Sequence, residues 1–290
     1  MLAAIRATFS LLKLRIAVAI AASALGGMAA AGGVRLSWLQ IAGFAVAVLG
    51  ASGAAGAFNH YYERDIDRLM RRTHSRPFAA GTFRPSLWWP AAFIVLLAIS
   101  LFLAAMTGGT VAACFVFLGA FTYGVVYTVW LKRRTAWNIV VGGLAGSFAV
   151  LAGAAAVDSS LQPESLALAV VLFLWTPPHF WSLAAAKRED YREARVPMLP
   201  IVAPDHAWTL AVLAHSAALL VVSLVPLWFG AGLPYAFGAG TGGLIFLWKS
   251  IAVYRSPTKQ AALANFLASL LQLALLLAGI GLDAAMHYGS

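Results

Sequence analysis

The stretch WPAAFIVLLAISLFLAAMT, residues 89–107, decides the fold class because it contains no charged side chain. A helix needs about 20 mostly apolar residues to cross the roughly 30 Å hydrocarbon core of a membrane. Eight similar runs give nine candidate spans in all, at 14–33, 38–58, 89–107, 110–130, 137–157, 165–185, 207–229, 231–252 and 261–282. Strand barrels are excluded because their strands alternate apolar and polar residues. The sequence predicts an all-α polytopic membrane protein, a bundle of nine transmembrane helices forming one domain over 1–290.

The composition agrees with this class. Hydrophobic residues make up 62% of the chain, charged residues only 10%, and the mean hydropathy is +0.84. Soluble domains carry about 25% charged residues. The first run is too long for the apolar part of a signal peptide, so we interpret it as a retained span. The single cysteine, Cys114, cannot form an intramolecular disulfide, and we expect a small buried apolar residue there.

The net charge of +10 is explained by topology rather than by nucleic-acid binding. With nine spans, 19 of the 20 Lys and Arg residues fall on one side of the membrane and Arg35 falls on the other. Basic residues are enriched in cytoplasmic loops. The N-terminus and the basic loops are therefore predicted to be cytoplasmic, and the C-terminus is predicted to lie outside.

Two polar loops interrupt the apolar chain on the basic side. The first polar loop covers residues 59–88 and the second covers 186–206. Charges of both signs beside a membrane span are costly and usually functional. The loops follow the second and the sixth span, four helices apart. This spacing suggests a weak internal duplication and a shared site between the loops.

The first loop opens with Asn59, Glu63 and Asp67, spaced by four, which share one face if the helix continues. Carboxylates combined with substrate phosphate oxygens suit Mg²⁺. An adjoining row of arginines matches phosphate oxygens, and its members are Arg64, Arg68 and either Arg71 or Arg72. Together they indicate a diphosphate site. The alternative is a helix end laced with local pairs, such as Asp67 with Arg71.

Two further expectations concern the same loop. Asp65 points to the other face of such a helix, where it is expected to pair with Arg68 or Arg72, or to join the metal if the helix breaks. Pro77 ends the segment after Arg76 and is expected to turn the loop back over the site.

The second loop follows a span that contains Pro177, Pro178 and His179. A proline pair predicts a broken helix with freed carbonyl groups. His179 could ligate iron, donate a hydrogen bond, move a proton or simply pack near a kink. Beyond the span, Lys187 could hold a diphosphate oxygen and Asp190 a second metal ion, with Tyr191 beside them. The alternative is an ordinary interfacial ion pair.

A third group lies where the fourth and fifth spans meet the basic side. It contains two aromatic and two basic candidates for substrate binding, Tyr123, Tyr127, Lys132 and Arg133. The alternative is that these residues only set topology and form an aromatic belt.

At these residues the chain resembles the UbiA superfamily of intramembrane prenyltransferases. The superfamily's first motif, Asn-x-x-x-Asp-x-x-x-Asp, is matched by Asn59, Glu63 and Asp67, with glutamate in place of the middle aspartate. Haem O synthases within the superfamily continue with Arg-Asp-Ile-Asp and Arg-Thr-x-x-Arg-Pro, matched here by residues 64–67 and 72–77. They also carry Pro-Pro-His-Phe-Trp, Lys-x-x-Asp-Tyr and Pro-Met-Leu-Pro, matched by 177–181, 187–191 and 197–200.

The resemblance implies transfer of farnesyl from farnesyl diphosphate to a vinyl group of haem b. It implies Asn59, Glu63 and Asp67 as Mg²⁺ ligands, assisted by Asp190, and Lys132, Arg133, Lys187 and nearby arginines, including Arg76, as diphosphate partners. A bacterial cytoplasmic (inner) membrane, haem A synthase and terminal-oxidase assembly factors are implied as surroundings. A quinone-precursor prenyltransferase is an alternative, but it predicts a second Asp-x-x-x-Asp motif, which is missing. A secondary transporter is disfavoured because the charges lie at the membrane mouth.

Overall fold

The computed structural model describes residues 2–32 and 36–288, and in these ranges the chain forms helices and no strand. The first part of the chain contains α1 (Leu2–Leu11), α2 (Leu14–Ala30), α3 (Trp38–Tyr62), α4 (Arg64–Asp67), α5 (Trp88–Phe121), a π-helical segment (Thr122–Leu131) and α6 (Asn138–Gly142). The second part contains α7 (Leu144–Val157), α8 (Pro163–Ala186), α9 (Arg188–Glu193), α10 (Leu199–Val202), α11 (Asp205–Ser223), a 3₁₀ segment (Val225–Phe229), α12 (Leu233–Arg255) and α13 (Lys259–Tyr288). The predicted all-α class is confirmed.

Seven helical stretches in the described ranges are long and apolar enough to cross a membrane. One of them, Trp88–Leu131, is 44 residues long and contains two of the nine predicted runs. The run at 14–33 corresponds to the shorter apolar helix α2. The nine runs therefore all lie in helical segments, although the count of spans depends on how the long stretch is divided.

The long stretch folds back on itself at Gly109, whose φ of 84° and ψ of 169° are not helical. Before the turn, Thr107 lies beside Gly43 and Ser100 beside Gly50, so this arm of α5 is antiparallel to α3. At the turn itself Gly108 lies beside Phe44, and near the far end of the second arm Gly124 lies beside Phe58, so the second arm is parallel to α3. A glycine fits here because only it adopts a positive φ at no steric cost. The two arms thus act as two spans.

Small residues allow the helices to approach closely, as the Gly- and Ala-rich spans predict. A Cβ atom on Gly153 of α7 would overlap the carbonyl oxygen of Ala24 on α2, and one on Gly27 of α2 would overlap that of Val150. Larger side chains at these two positions would force α2 and α7 apart. This contact fixes the helices that flank the polar end of the bundle.

Cys114 differs from the sequence prediction, and Arg35 cannot be compared with it. Cys114 is exposed on the surface of α5, so the expectation of a buried cysteine is wrong. The reason is that α5 shows much of its surface outward, where the membrane interior would accept an apolar thiol. Arg35, the basic residue predicted on the opposite side, lies outside the described residues.

Candidate active site

The polar row of the first loop is almost completely buried. Asn59, Glu63 and Asp67 have relative exposures of 1%, 0% and 2%. Helix α3 ends at Tyr62, and Glu63 links it to α4 with φ −91° and ψ 9°. The backbone N–H of Glu63 still donates to Asn59, and that of Asp67 to Glu63, at 2.9 Å each. The spacing of four therefore survives the break, and the three side chains form one buried row.

Each member of the row has a basic partner, and two of these partners come from outside the first loop. Lys132 Nζ lies 2.5 Å from Glu63 Oε2, and Arg76 Nη1 donates to both Asp67 oxygens at 2.8 Å. Lys13 Nζ donates to Asn59 Oδ1. The local alternative, Asp67 with Arg71, is therefore not the pairing observed. Removing such charges from water costs several kcal/mol per ion unless each is paired. The row and its three cations thus form one compact site, which we call the buried polar cluster.

Lys13 belongs to the site, although its position in the sequence indicates only a basic residue that helps to set the membrane topology. It stands at the start of α2 with a left-handed backbone, φ 49° and ψ 45°. Its Nζ also donates to the hydroxyl of Tyr123 at 2.9 Å. Burial, and then the positive charge of Arg76, lower the pKa of Lys13, whereas Glu63 opposes this shift. No local pattern signals the role, because Asn59 is 46 residues away in sequence.

The π-helical segment supplies one wall of the cluster. Thr128 is fully buried, donates to the Tyr123 carbonyl at 2.8 Å and accepts a 3.0 Å hydrogen bond from Asn59 Nδ2. The rings of Tyr123 and Tyr127 stack with centroids 5.7 Å apart. π-Helical turns are rare and often occur at functional sites. Here the wider turn places Tyr123 beside Lys13 and Tyr127 beneath the Lys132 ammonium.

The rest of the first loop folds back over the row, as Pro77 predicts. Thr73 Oγ1 donates to the Asp67 carbonyl at 3.1 Å, and Arg68 Nε donates to the Ala79 carbonyl at 3.1 Å. These bonds place Arg76 against Asp67. The loop therefore covers the polar row at this end of the bundle.

The remaining basic candidates of the first loop lie nearer the surface. Asp65 makes a two-pronged pair with Arg133 at 2.7 Å, so neither Arg68 nor Arg72 is its partner. The Arg133 hydrogen bonds lower the pKa of Asp65, against the smaller opposing effect of burial. Arg64 donates to the Tyr61 carbonyl at 2.7 Å. Arg72 is exposed. These side chains therefore lie outside the buried polar cluster.

The second loop meets the first through apolar contacts. Tyr191 and Ala194 share one buried cluster with Ile66 and Met70, and Tyr127 packs against it. Asp190 is 8% exposed, and Lys187 is exposed. The described chain shows no ion pair between Lys187 and Asp190. The two predicted loops therefore lie together at one end of the bundle.

His179 lies inside a continuous helix, so the predicted break at Pro177 and Pro178 is wrong. Proline is tolerated in membrane helices when neighbouring groups re-satisfy the backbone. His179 Nδ1 lies 2.7 Å from Ser269 Oγ on α13, and its ring stacks on Trp175 at 4.1 Å. His179 therefore lies within the bundle, on the side of α8 that faces α13, and not in the second loop.

The oxygen donors fit a hard divalent ion that is completed by a substrate. Across residues 2–32 and 36–288, no group of three His, Cys, Asp or Glu side chains is close enough to hold a metal on its own. Glu63 Oε1, however, is buried and has no hydrogen-bond partner. A buried carboxylate oxygen without a partner is costly, so a ligand is expected there. Mg²⁺ typically binds one or two carboxylates plus substrate phosphates.

A family model described as the UbiA prenyltransferase family matches residues 20–276. The chain belongs to the UbiA prenyltransferase family. It is 52% identical over 280 residues to "Protoheme IX farnesyltransferase 2" of Paramagnetospirillum magneticum, covering 97% of both chains.

Solved structures show the same fold in other UbiA-like proteins. A digeranylgeranylglyceryl phosphate synthase has a TM-score of 0.76 at 14% identity, with 97% of this chain and 99% of that chain covered. A UbiA homologue from Archaeoglobus fulgidus, bound to DMAPP and Mg²⁺, has a TM-score of 0.70 at 15% identity, with 93% and 98% covered. At these identities the likeness shows the fold alone.

Proposed function

We propose that this protein transfers the farnesyl group of farnesyl diphosphate to a vinyl group of haem b, giving haem O and diphosphate. The observation that carries the proposal is the buried polar cluster, in which the Asn59, Glu63 and Asp67 row meets Lys13, Arg76 and Lys132. The similarity to a relative named protoheme IX farnesyltransferase supports haem as the acceptor.

The cations of the cluster bind the diphosphate in this proposal. Lys132, Arg76 and Lys13 exchange their present acid and amide partners for phosphate oxygens when the substrate enters. Lys187, Arg133 and the arginines outside the cluster add to the positive field. Donors placed where negative charge develops usually supply the largest part of such catalysis. The leaving diphosphate is therefore stabilised by groups that the fold has already positioned.

The oxygens released by that exchange would hold Mg²⁺. Glu63 and Asp67 would supply carboxylates, Asn59 an amide oxygen, and Asp190 would assist from the second loop. When bound, Mg²⁺ neutralises charge on the diphosphate. The longer side chain of Glu63, compared with aspartate, reaches one methylene further. The unpartnered Glu63 Oε1 supports this assignment.

The reaction breaks the C1–O bond of farnesyl diphosphate, and the bonding electrons leave with the diphosphate. The vinyl π electrons of haem b then form the new C–C bond with the allylic cation. Water adds to the resulting cation beside the porphyrin and loses a proton, which gives the hydroxyethylfarnesyl group. The apolar bundle around the cluster limits earlier attack by water. His179 is proposed to face the haem, and Tyr191 to support the second loop.

The protein is an integral membrane protein, and we propose the bacterial cytoplasmic membrane as its location. The N-terminus and both polar loops would be cytoplasmic and the C-terminus outside, because the basic residues gather on the loop side. Haem A synthase or terminal-oxidase assembly factors would receive the product. A reporter fused after Asp67 is expected to score as cytoplasmic.

The decisive experiment incubates the purified protein with haem b, farnesyl diphosphate and Mg²⁺. Chromatography and mass spectrometry should show haem O, and no product should form when Mg²⁺ is chelated. A parallel reaction replaces haem by an aromatic quinone precursor and is expected to give no prenylated product. Folded protein that prenylates the quinone precursor and not haem would overturn the proposal.

A further inference from the structure

One apolar cavity leads from the buried polar cluster into the membrane interior. Lys13 and Tyr123 line its upper end. Below them the wall is almost wholly apolar and comes from α2, α3, α5 and α7, with Ile20, Val48, Ala51, Phe115 and Ala149 among its residues. Its volume is about 80 Å³. The cavity thus joins a polar end to an apolar end.

The depth of the cavity follows from helix geometry. Val48 precedes Asn59 by eleven residues on α3, which corresponds to about 16 Å at 1.5 Å per residue. This is about half of a roughly 30 Å hydrocarbon core. Below this level the packing is closed, because Phe44, Ala47 and Ala152 are fully buried. Val48 and Ala149 therefore lie at the lower end of the open space.

We propose that this cavity holds the isoprenoid tail and that Val48 and Ala149 form its floor, which sets the number of isoprene units in the preferred substrate. The inference rests on the proposed function, since a diphosphate bound by Lys13 and Lys132 sends its tail into this cavity. Each additional isoprene unit must fit above the floor or displace closely packed helices. The two floor residues are specificity determinants and take no part in the chemistry.

A second apolar cavity is the main structural rival. It measures about 260 Å³ and lies between α3 and the two arms of α5, with Phe58, Ile94 and Gly124 in its wall. It meets the first cavity at Ala55 and Ala120. Its described lining contains no charged side chain to receive a diphosphate. The first cavity is favoured because it alone of the two contains Lys13 and Tyr123.

The test is Ala149→Leu, assayed with saturating haem and geranyl or farnesyl diphosphate. Filling the floor should lower kcat/KM for the farnesyl donor by about tenfold or more, the scale of one methylene group too many in an apolar pocket. The geranyl donor should change by less than about threefold, because its tail ends above the floor. Near-normal activity of the variant with the shorter donor would show that the protein is folded, because an unfolded protein would lose activity with both donors.

Val48→Ala gives the opposite change and guards against a misfolded Ala149→Leu protein. The lowered floor should raise the ratio of geranylgeranyl to farnesyl transfer by several-fold, an effect expected for added pocket space. Ala152→Leu is the matched control: it adds the same volume to a buried position of α7 outside the cavity lining. It should leave the chain-length ratio unchanged.

Equal losses with every donor in Ala149→Leu, together with an unchanged ratio in Val48→Ala, would overturn the proposal. A ratio that responds to Gly124→Leu and not to either floor variant would also overturn it and would place the tail in the rival cavity. The wild-type protein is assayed first with haem and farnesyl diphosphate. If the wild-type protein forms no haem O, the proposed function is contradicted. If the variants are active but their chain-length ratio is unchanged, only the proposed floor is contradicted.

Discussion

The two polar loops differ in how their candidate residues are held. In the first loop, Glu63 and Asp67 are buried and each is paired with a cation, Glu63 with the distant Lys132 and Asp67 with Arg76 of the same loop. In the second, Lys187 is exposed, and the nearby His179 packs between aromatic rings and Ser269 inside the bundle. In the proposed function, the first loop therefore holds most of the charged part of the substrate, assisted by Lys187 and Asp190, whereas the region around His179 contacts an apolar part. Four predictions test this division.

The largest effect is expected for Glu63→Gln. Loss of the carboxylate should lower kcat by about 10²–10³-fold, as for other groups that stabilise a developing charge. Haem O formation measures this change. The variant also leaves Lys132 buried without its partner, which typically costs about 3–5 kcal/mol of stability.

The double variant Glu63→Gln with Lys132→Met separates the two effects. It should regain much of the thermal stability and remain inactive, because the buried unpaired charge is gone but the site is still incomplete. Normal activity in folded Glu63→Gln protein would contradict the division between the loops.

Lys13→Met is expected to have the next largest effect. Hydrogen bonds to charged groups contribute about 1.5–3 kcal/mol, so kcat/KM for farnesyl diphosphate should fall by about ten- to hundredfold. Arg15→Met is the control, since Arg15 is a neighbouring exposed cation. If both variants lose activity equally, the basic residues act only through the general positive field.

His179→Phe should separate the two substrates. The loss of a buried polar ring is expected to raise KM for haem by about tenfold and to leave KM for farnesyl diphosphate within about twofold. Ser269 Oγ also hydrogen-bonds the Phe266 carbonyl, so the variant does not leave it without a partner. His179→Gln can keep the contact with Ser269 and should retain more activity. A change confined to the farnesyl diphosphate KM would reverse the assignment.

The smallest effect is expected for Asp65→Asn, at the exposed rim. The pair with Arg133 should contribute less than about 1 kcal/mol of stability. Because Arg133 lowers the pKa of Asp65, this contribution is present above the ordinary Asp pKa of about 3.9 and disappears as the pH falls through the depressed value. The difference in thermal unfolding from the wild type should be larger at pH 7 than at pH 3. Haem O formation should be unchanged.

The sequence located the spans and the polar row because both depend on local patterns. Long uncharged runs identify membrane helices, and a spacing of four keeps Asn59, Glu63 and Asp67 together even though the helix is interrupted at Glu63. Local patterns gave wrong predictions for features that depend on the packing of neighbouring helices. Buried packing around Pro177 and Pro178 keeps α8 continuous, and Cys114 faces outward because of the orientation of α5.

By itself the sequence determined an all-helical membrane fold, a diphosphate-like row and the resemblance to UbiA prenyltransferases, all of which rest on residues close together in the chain. Only the tertiary structure decided which cation meets which acid. Lys132 and Glu63 are 69 residues apart, and Lys13 and Asn59 are 46 apart. Helix packing sets these pairs and leaves the cavity beneath them. The reactive side chains could therefore be recognised from short sequence motifs. Their ion-pair partners and the cavity depend on how the helices pack.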